Sequence, residues 1–168
     1  WEEERTLAVP AKLPHGLHFG NSLDHGERWL AVGAPASDGR GGGSGQGAAY
    51  VYDLENPGRA PVQLDCPEAA VMPAHGWAVA VDGDVILVGN PYVRRGLAPG
   101  RVYAYRYDPV SARWRFAATL QAGNAESGDE FGLHLAVDEG WAMIGAKSSW
   151  AYFFRLDREV IPMNVISW

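Results

Sequence analysis

Hydrophobic and polar residues follow one another along this chain in a pattern that occurs three times. Residues 19–35, 75–91 and 131–147 align without gaps (FGNSLDHGERWLAVGAP, HGWAVAVDGDVILVGNP and FGLHLAVDEGWAMIGAK). Each segment runs through a short apolar stretch, a polar turn and a second apolar stretch. The turn of the second copy holds Asp82-Gly83, a pair that tolerates positive φ angles and favours a tight β-turn. Each copy is therefore predicted to open with a β-hairpin.

Two glycine positions set the register of the copies, and each recurs every 56 residues. The second position follows the first after thirteen residues in every copy. The first position holds Gly20, Gly76 and Gly132, and the second holds Gly33, Gly89 and Gly145. A period of this length is typical of architectures in which each repeat is one supersecondary unit that packs against its neighbours.

Aromatic residues alternate with small ones in a third predicted strand of each copy, at residues 49–52, 102–107 and 151–154. A more polar fourth strand follows, as in residues 61–64 and 114–120. Four antiparallel strands per period match the blade of a β-propeller in size. The predicted fold class is all-β, with three four-stranded, propeller-like units and an extra strand at residues 5–9. The last fourth strand is expected within residues 160–168.

We interpret residues 1–168 as a single repeat domain with repeats at about 19–74, 75–130 and 131–168. Residues 1–18 then carry a strand of a preceding blade. Among 168 residues, 47% are hydrophobic and 20% charged, with 21 glycines and 11 prolines, a composition that favours short strands and many turns. The net charge is −6 without a cluster of Lys or Arg, which argues against nucleic acid as a partner. No apolar run approaches the ~20 residues of a membrane span.

The paired motifs Phe19-Gly20 and Gly33-Ala34-Pro35 resemble the FG-GAP repeat, and the later copies keep weaker versions of both. Residues 47–52 and 122–132 also look like flanking segments of that family. The repeat-defining residues are Phe19, Gly20, Gly33, Ala34, Pro35, Gly76, Gly89, Pro91, Phe131, Gly132 and Gly145.

The resemblance implies integrin-α-like propeller repeats of a calcium-free, bacterial-type branch. Calcium-binding members carry a DxDxDG loop, whereas the hairpins here at residues 24–28, 82–84 and 138–140 are short and poor in carboxylates. Such repeats usually display loops that bind another protein or a glycan. The resemblance thus implies a non-catalytic protein-binding or assembly module that is extracellular, on the cell surface or periplasmic.

The residues themselves point to no catalytic, cofactor-binding or metal-binding residue, so we expect no enzyme and no cofactor. The glycine-rich run 40–47 lacks the GK[ST] ending of a phosphate-binding loop. The single cysteine, Cys66, is expected to be buried. Carboxylates that would suit an acid–base pair fall in the hairpin turns, where Asp commonly accepts local backbone hydrogen bonds: Asp24, Asp82, Asp84, Asp138 and Glu139.

Three blades are fewer than the four to eight of a closed propeller. The chain is then a fragment of a larger propeller, part of a ring completed by another copy or a different subunit, or a unit of an open array. We favour another chain, the same or a different one, that covers the open blade edges, with two copies in a six-bladed ring as one version. Trp29 and Trp141 share one repeat position and are interpreted as core or blade-to-blade packing. A glycan-binding lectin that uses an exposed Trp and an accessory domain of a secreted enzyme are the alternatives. The loops at residues 36–47 and 92–100 differ most between copies, and their candidate partner contacts are Ser37, Asp38, Arg40, Gln46, Tyr92, Arg94 and Arg95.

Overall fold

A computed structural model describes residues 18–35, 47–68, 74–92, 98–147 and 150–156 of the chain. Within these ranges the chain is all-β, as the alternation of apolar and polar residues predicts. The strands are β1 (Ser22–His25), β2 (Trp29–Ala34), β3 (Ala48–Asp53), β4 (Val62–Asp65), β5 (Val79–Asp82), β6 (Val85–Asn90), β7 (Arg101–Asp108), β8 (Arg113–Leu120), β9 (His134–Asp138), β10 (Trp141–Gly145) and β11 (Ala151–Arg155).

The strands form three antiparallel sheets in which neighbours in sequence are neighbours in space. Blade 1 has the order β1-β2-β3-β4, blade 2 has β5-β6-β7-β8, and blade 3 has β9-β10-β11. The propeller-like fold predicted from the repeats is thereby confirmed. The predicted strands at residues 5–9 and 160–168 lie outside the described residues.

The hairpin turns lie where the sequence predicts them. In blade 1, Leu23 pairs with Val32 across the β1–β2 hairpin. In blade 2, Asp82 pairs with Val85, so that Gly83 and Asp84 form the two-residue turn, and Gly83 has a φ of 51°. A turn that requires positive φ explains why Gly follows Asp at this position.

The blades are stacked through their faces, because β5 contacts β1 and β2 on one side and β9 on the other. We call the face that a blade turns to the next one its trailing face and the opposite face its leading face. Trp29, Ala31 and Val51 lie on the trailing face of blade 1 and form one buried cluster with the leading face of blade 2. A second cluster joins the trailing face of blade 2 to the leading face of blade 3. Blade 2 is therefore buried on both faces.

Within each blade, the two repeat glycines are joined by a backbone hydrogen bond. The N–H of Gly20 donates to the carbonyl of Gly33 over 3.0 Å. The same bond in blades 2 and 3 measures 3.1 Å, from Gly76 to Gly89 and from Gly132 to Gly145. This bond closes the loop that precedes the hairpin, so it explains the constant separation of thirteen residues.

Between blades, the second glycine of one copy packs directly against the first glycine of the next. A Cβ atom at Gly33 would overlap the carbonyl oxygen of Gly76. A Cβ atom at Gly89 would overlap the carbonyl oxygen of Gly132 in the same way. The backbones of adjacent blades are thus closer than any side chain permits, which is the physical reason for glycine at these positions.

Replacing Gly33 by Ala is expected to lower the free energy of unfolding by about 1–3 kcal/mol, because the added methyl group must displace backbone of blade 2. Gly89→Ala is expected to act alike at the second interface. Urea unfolding of both variants measures the change. Gly123→Ala is the matched control, since its Cβ would meet no atom within 4 Å. Stability of Gly33→Ala equal to that of the control would contradict the close backbone approach.

Candidate functional site

Polar side chains on the innermost strands tie adjacent blades together. The Oδ2 atom of Asp24 accepts a hydrogen bond from the backbone N–H of Val81 in blade 2, at 2.8 Å. Ser22 accepts one from the N–H of Val79, also at 2.8 Å. These bonds satisfy backbone donors that face the neighbouring blade.

The same use of turn carboxylates recurs between blades 2 and 3, where Asp82 accepts a hydrogen bond from the N–H of Gly140 at 3.3 Å. The interpretation of these side chains as acceptors of local bonds is therefore incomplete. Asp24 makes a local bond, from the N–H of His25 at 2.9 Å, and the bond to blade 2 as well. Asp24 and Asp82 thus act in blade assembly, and the described contacts do not pair the turn carboxylates with one another.

Trp29 is buried in the interface between blades 1 and 2, where it is 4% exposed. Its ring packs against Tyr107 and Trp114 of blade 2, with centroid separations of 4.7 and 5.2 Å. Its indole N–H donates to Asp84 at 3.3 Å. The interpretation of Trp29 as blade-to-blade packing is confirmed.

A buried carboxylate holds a cation over this aromatic cluster. The Arg28 guanidinium lies 4.3 Å from the centroid of the Trp29 ring and 3.0 Å from the Oδ2 of Asp53. The hydrogen bond from Arg28 lowers the pKa of the Asp53 carboxyl, with a smaller contribution from Asn56. The ion pair therefore persists at neutral pH and fixes the outer end of the interface.

His75 occupies the position that Phe19 and Phe131 hold in the other copies, and it is fully buried. Its Nε2 lies 3.2 Å from the hydroxyl of Tyr105, which donates to the carbonyl of Asp65 at 2.6 Å. Burial lowers the pKa of His75 to about 3. The imidazole is therefore neutral in the folded chain at ordinary pH.

Cys66 lies beside the same cluster and is half-buried rather than fully enclosed. Burial raises the pKa of its thiol, although Tyr103, Asn90 and Arg101 act in the opposite direction. A nucleophilic cysteine requires a lowered pKa, because the thiolate is the reactive form. The thiol is thus held in its unreactive state.

The trailing face of blade 3 carries large apolar side chains that the described part of the chain leaves in contact with solvent. Trp141 and Met143 on β10 lie beside Phe153 on β11, and Met143 pairs directly with Phe153. Ala136 on β9 extends the same row. These four residues line a shallow groove bordered by Asp138 and Glu139. We call this surface the open trailing face.

The open trailing face is the counterpart of surfaces that are buried in the other blades. Trp141 is 41% exposed, whereas its repeat equivalent Trp29 is almost completely buried. The prediction that Trp141 packs between blades is therefore wrong for the described chain. A cation still covers its ring, because Arg155 lies 4.9 Å from the ring centroid. The open trailing face therefore carries the side chains of a blade interface, but the described residues include no blade that packs against it.

Most of the repeat-defining residues lie where blades meet, whereas Phe19, Gly20 and Gly145 contact no other blade in the described chain. Phe131, Gly132 and Gly76 face the preceding blade, and Gly33 and Gly89 face the following one. Ala34, Pro35 and Pro91 are buried beside them. Lys147, which replaces Pro in the third copy, instead forms an ion pair with Glu130 at 2.9 Å.

Of the predicted partner-contact residues, Tyr92 lies within the described chain and packs edge-on against Trp77, with ring centroids 4.9 Å apart. The other six, Ser37, Asp38, Arg40, Gln46, Arg94 and Arg95, lie outside the described residues and stay predictions. No group of three or more His, Cys, Asp or Glu side chains suited to a metal ion occurs in the described ranges.

Sequence reasoning missed the open trailing face, although a signal for it was present. Met143 and Phe153 replace Ala31 and Val51 of the first copy, so the third copy carries bulkier side chains on the same face. The bulkier side chains indicate that the trailing face of blade 3 contacts a different surface from the one that the trailing face of blade 1 contacts. The repeat alignment alone treats the positions as equivalent.

Residues 14–52 match the family model of the FG-GAP repeat. The match confirms the resemblance carried by Phe19-Gly20 and Gly33-Ala34-Pro35, and it covers β1, β2 and nearly all of β3. The strand order, hairpin register and glycine contacts of blade 1 recur in blade 2. Among curated proteins, none matches the chain. No helix in the described ranges is long and apolar enough to span a bilayer.

His75 is expected to make stability depend on pH. Its pKa is lower in the folded chain than in the unfolded chain, so below about pH 6.5 the unfolded state binds a proton that the folded state does not. Stability should therefore fall by about 1.4 kcal/mol per pH unit from pH 6 towards pH 4. His75→Phe, which restores the residue of the other copies, should flatten this dependence in urea unfolding. Parallel pH profiles of the two proteins would contradict the assignment.

Proposed function

We propose that this chain is a non-catalytic binding or assembly module whose open trailing face docks another protein chain. The observation that carries the proposal is the exposure of Trp141, Met143 and Phe153 side by side on one sheet face. Contiguous exposed apolar side chains of this kind mark interaction sites on soluble proteins. Trp is moreover among the residues that contribute most to binding energy at protein interfaces.

Burial of apolar surface by a partner supplies the binding energy in this proposal. Complete burial of one large side chain such as Met or Phe contributes about 1.5–3 kcal/mol. Met143 and Phe153 lie in register on adjacent strands, so one partner surface covers both without rearrangement of the backbone. Arg155 and Asp138 lie at the end of the same strands and supply the polar rim that protein interfaces usually have.

The state of the ionisable groups supports a non-catalytic role. Cys66 has a raised pKa, which disfavours a thiolate nucleophile. His75 is buried and its pKa is too low for a general base near pH 7. Asp24 and Asp82 accept backbone hydrogen bonds from adjacent blades, so their oxygens are already engaged. These groups serve packing and assembly.

The FG-GAP match supports placement outside the cytoplasm, since such repeats are typically extracellular or periplasmic. We infer that the module works at the cell surface, in the periplasm or in secreted form. We further propose that the module is a subunit of an adhesion or recognition complex. A binding surface on one blade face fits such a role.

A photoreactive phenylalanine analogue placed at position 143 is expected to form covalent adducts with a specific partner in the organism that carries this gene. The groove places this side chain against whatever covers the open trailing face. Peptide mass spectrometry identifies the adduct. The same analogue at Val110 is the matched control, because that side chain is 95% exposed on the turn between β7 and β8 of blade 2.

Confirmation requires that the identified partner binds the purified chain and that Phe153→Asp weakens this binding at least tenfold, the equivalent of about 1.4 kcal/mol. Equal labelling from positions 143 and 110 would show that the open trailing face has no preferred partner. Binding that is unaffected by Phe153→Asp would place the partner elsewhere on the chain.

Glycan binding is the second candidate, favoured by the exposed indole rings of Trp141 and Trp150. Aromatic faces of this kind stack on sugar rings. A glycan array probed with the purified chain is expected to give hits that Trp150→Ala or Trp141→Ala removes. An array without hits would exclude this candidate and leave the protein-binding proposal standing.

A further inference from the structure

We infer that the open trailing face binds an arginine side chain of its protein partner. The stem of that side chain lies on Met143 and Phe153, and its guanidinium binds Asp138 and Glu139. The inference rests on the proposed function and deepens it, because it names the chemistry that the same surface selects. It is carried by one juxtaposition: two carboxylates that have no cationic partner among the described residues border an apolar groove.

The groove has the size of one side chain. Its volume is about 240 Å³, below the roughly 300–1,000 Å³ of pockets that enclose drug-sized ligands. Its lining is mostly apolar and includes Ala136, Met143 and Phe153. The last two are 44% and 46% exposed, so their surfaces are free to cover methylene groups of a ligand. A long cationic side chain fits this lining, since such stems pack along apolar surfaces while the charge stays in water.

Asp138 and Glu139 give one end of the groove a negative charge. Both are exposed, and neither takes part in an ion pair within the described part of the chain. Asp138 pairs with Trp141, which in turn pairs with Arg155 on the next strand. The backbones of Asp138 and Arg155 are therefore two strand spacings apart, or about 10 Å. Arg155 lies over the Trp141 ring, so the carboxylates remain available to a cation from outside.

The described interfaces show that carboxylates of a trailing face receive donors from the neighbouring blade. Asp24 accepts the N–H of Val81, and Asp82 accepts the N–H of Gly140. Asp138 holds the repeat position of Asp82. A surface that covers the open trailing face must therefore bring a hydrogen-bond donor to Asp138, because a covered carboxylate without a donor is costly.

Arginine satisfies this requirement better than lysine. A guanidinium presents its N–H donors in one plane, so it engages two carboxylates at once and packs flat on an apolar or aromatic surface. The chain already contains such an arrangement, because the Arg28 guanidinium lies on the Trp29 ring. Arg28 pairs at the same time with Asp53 and Glu55, at 3.0 and 3.3 Å. A lysine ammonium is more strongly hydrated and loses more on being covered.

The two parts of the site have different roles. Burial of the stem against Met143 and Phe153 supplies affinity, because it removes apolar surface from water. Exposed ion pairs contribute little net free energy, so the carboxylates mainly supply selectivity for a cation. We therefore expect a preference for arginine over a neutral side chain of the same shape, and this preference should shrink as salt screens the charges.

Titration of the purified full chain with three short peptides tests the inference. The peptides are acetyl-Leu-Arg-Leu-amide and the versions with citrulline or lysine at the central position, since citrulline keeps the shape of arginine without its charge. NMR follows the methyl group of Met143 and the indole N–H of Trp141, which Met143→Leu and Trp141→Phe assign by loss of signal. The arginine peptide is expected to shift both signals saturably and to bind about fivefold more tightly than the citrulline peptide.

The double variant Asp138→Asn, Glu139→Gln should bind the arginine and citrulline peptides equally, because it keeps the apolar groove and removes the charges. Both side chains are exposed, so the fold should survive, which circular dichroism checks. Glu126→Gln is the matched control, since it removes an exposed carboxylate that does not line the groove. It should keep the fivefold preference.

Four outcomes would overturn the inference: no shift of the Met143 signal, equal binding of the arginine and citrulline peptides to the wild type, a lysine peptide that binds as tightly as the arginine peptide, or a preference that survives the double variant. Failure here is distinguishable from failure of the proposed function. If Phe153→Asp releases the partner captured from position 143 while the double variant binds it unchanged, the open trailing face is the docking site and arginine is wrong as its ligand.

Discussion

Backbone contact between glycines of adjacent blades is the constraint on which the rest of this structure depends. Gly33 meets Gly76 and Gly89 meets Gly132 without room for a side chain. The hydrogen bond from the first to the second glycine of each blade holds both ends of this contact in place. Because the separation of the blades is set there, the aromatic rings and carboxylates farther along the same faces can reach their partners.

The distance between stacked blades determines which side chains fit between their faces. Trp29 fills the space between blades 1 and 2 and reaches Asp84 with its indole N–H, while Asp24 spans the inner strands to Val81. Both interactions join blades rather than strands within a blade. Stability is therefore distributed over the interfaces, as expected for repeat architectures in which each unit is stabilised by its neighbours.

The stacking of the blades also explains why the proposed binding surface lies on blade 3. Blade 2 has neighbours on both faces and is buried on both. In blade 3, one face of β10 includes the buried Ile144, and the opposite face includes the exposed Met143. The exposed face has the composition of an interface, and Arg155 covers Trp141 as Arg28 covers Trp29. Burial favours the uncharged forms of Cys66 and His75.

The sequence by itself determined the repeat, the hairpins and the all-β fold, because the glycine spacing and the period of two are local properties of the chain. It also identified Phe19, Gly33 and Gly132 as defining positions. Only the tertiary structure decided what covers each face. Trp29 and Trp141 are equivalent in the repeat, yet one is buried and the other exposed, since an alternating pattern specifies the two faces of a strand and not whether another sheet lies against them. The sequence did not reveal the hydrogen bond from the N–H of Val81 to Asp24 for the same reason. The two residues are 57 positions apart, and only the stacking of the blades brings them together.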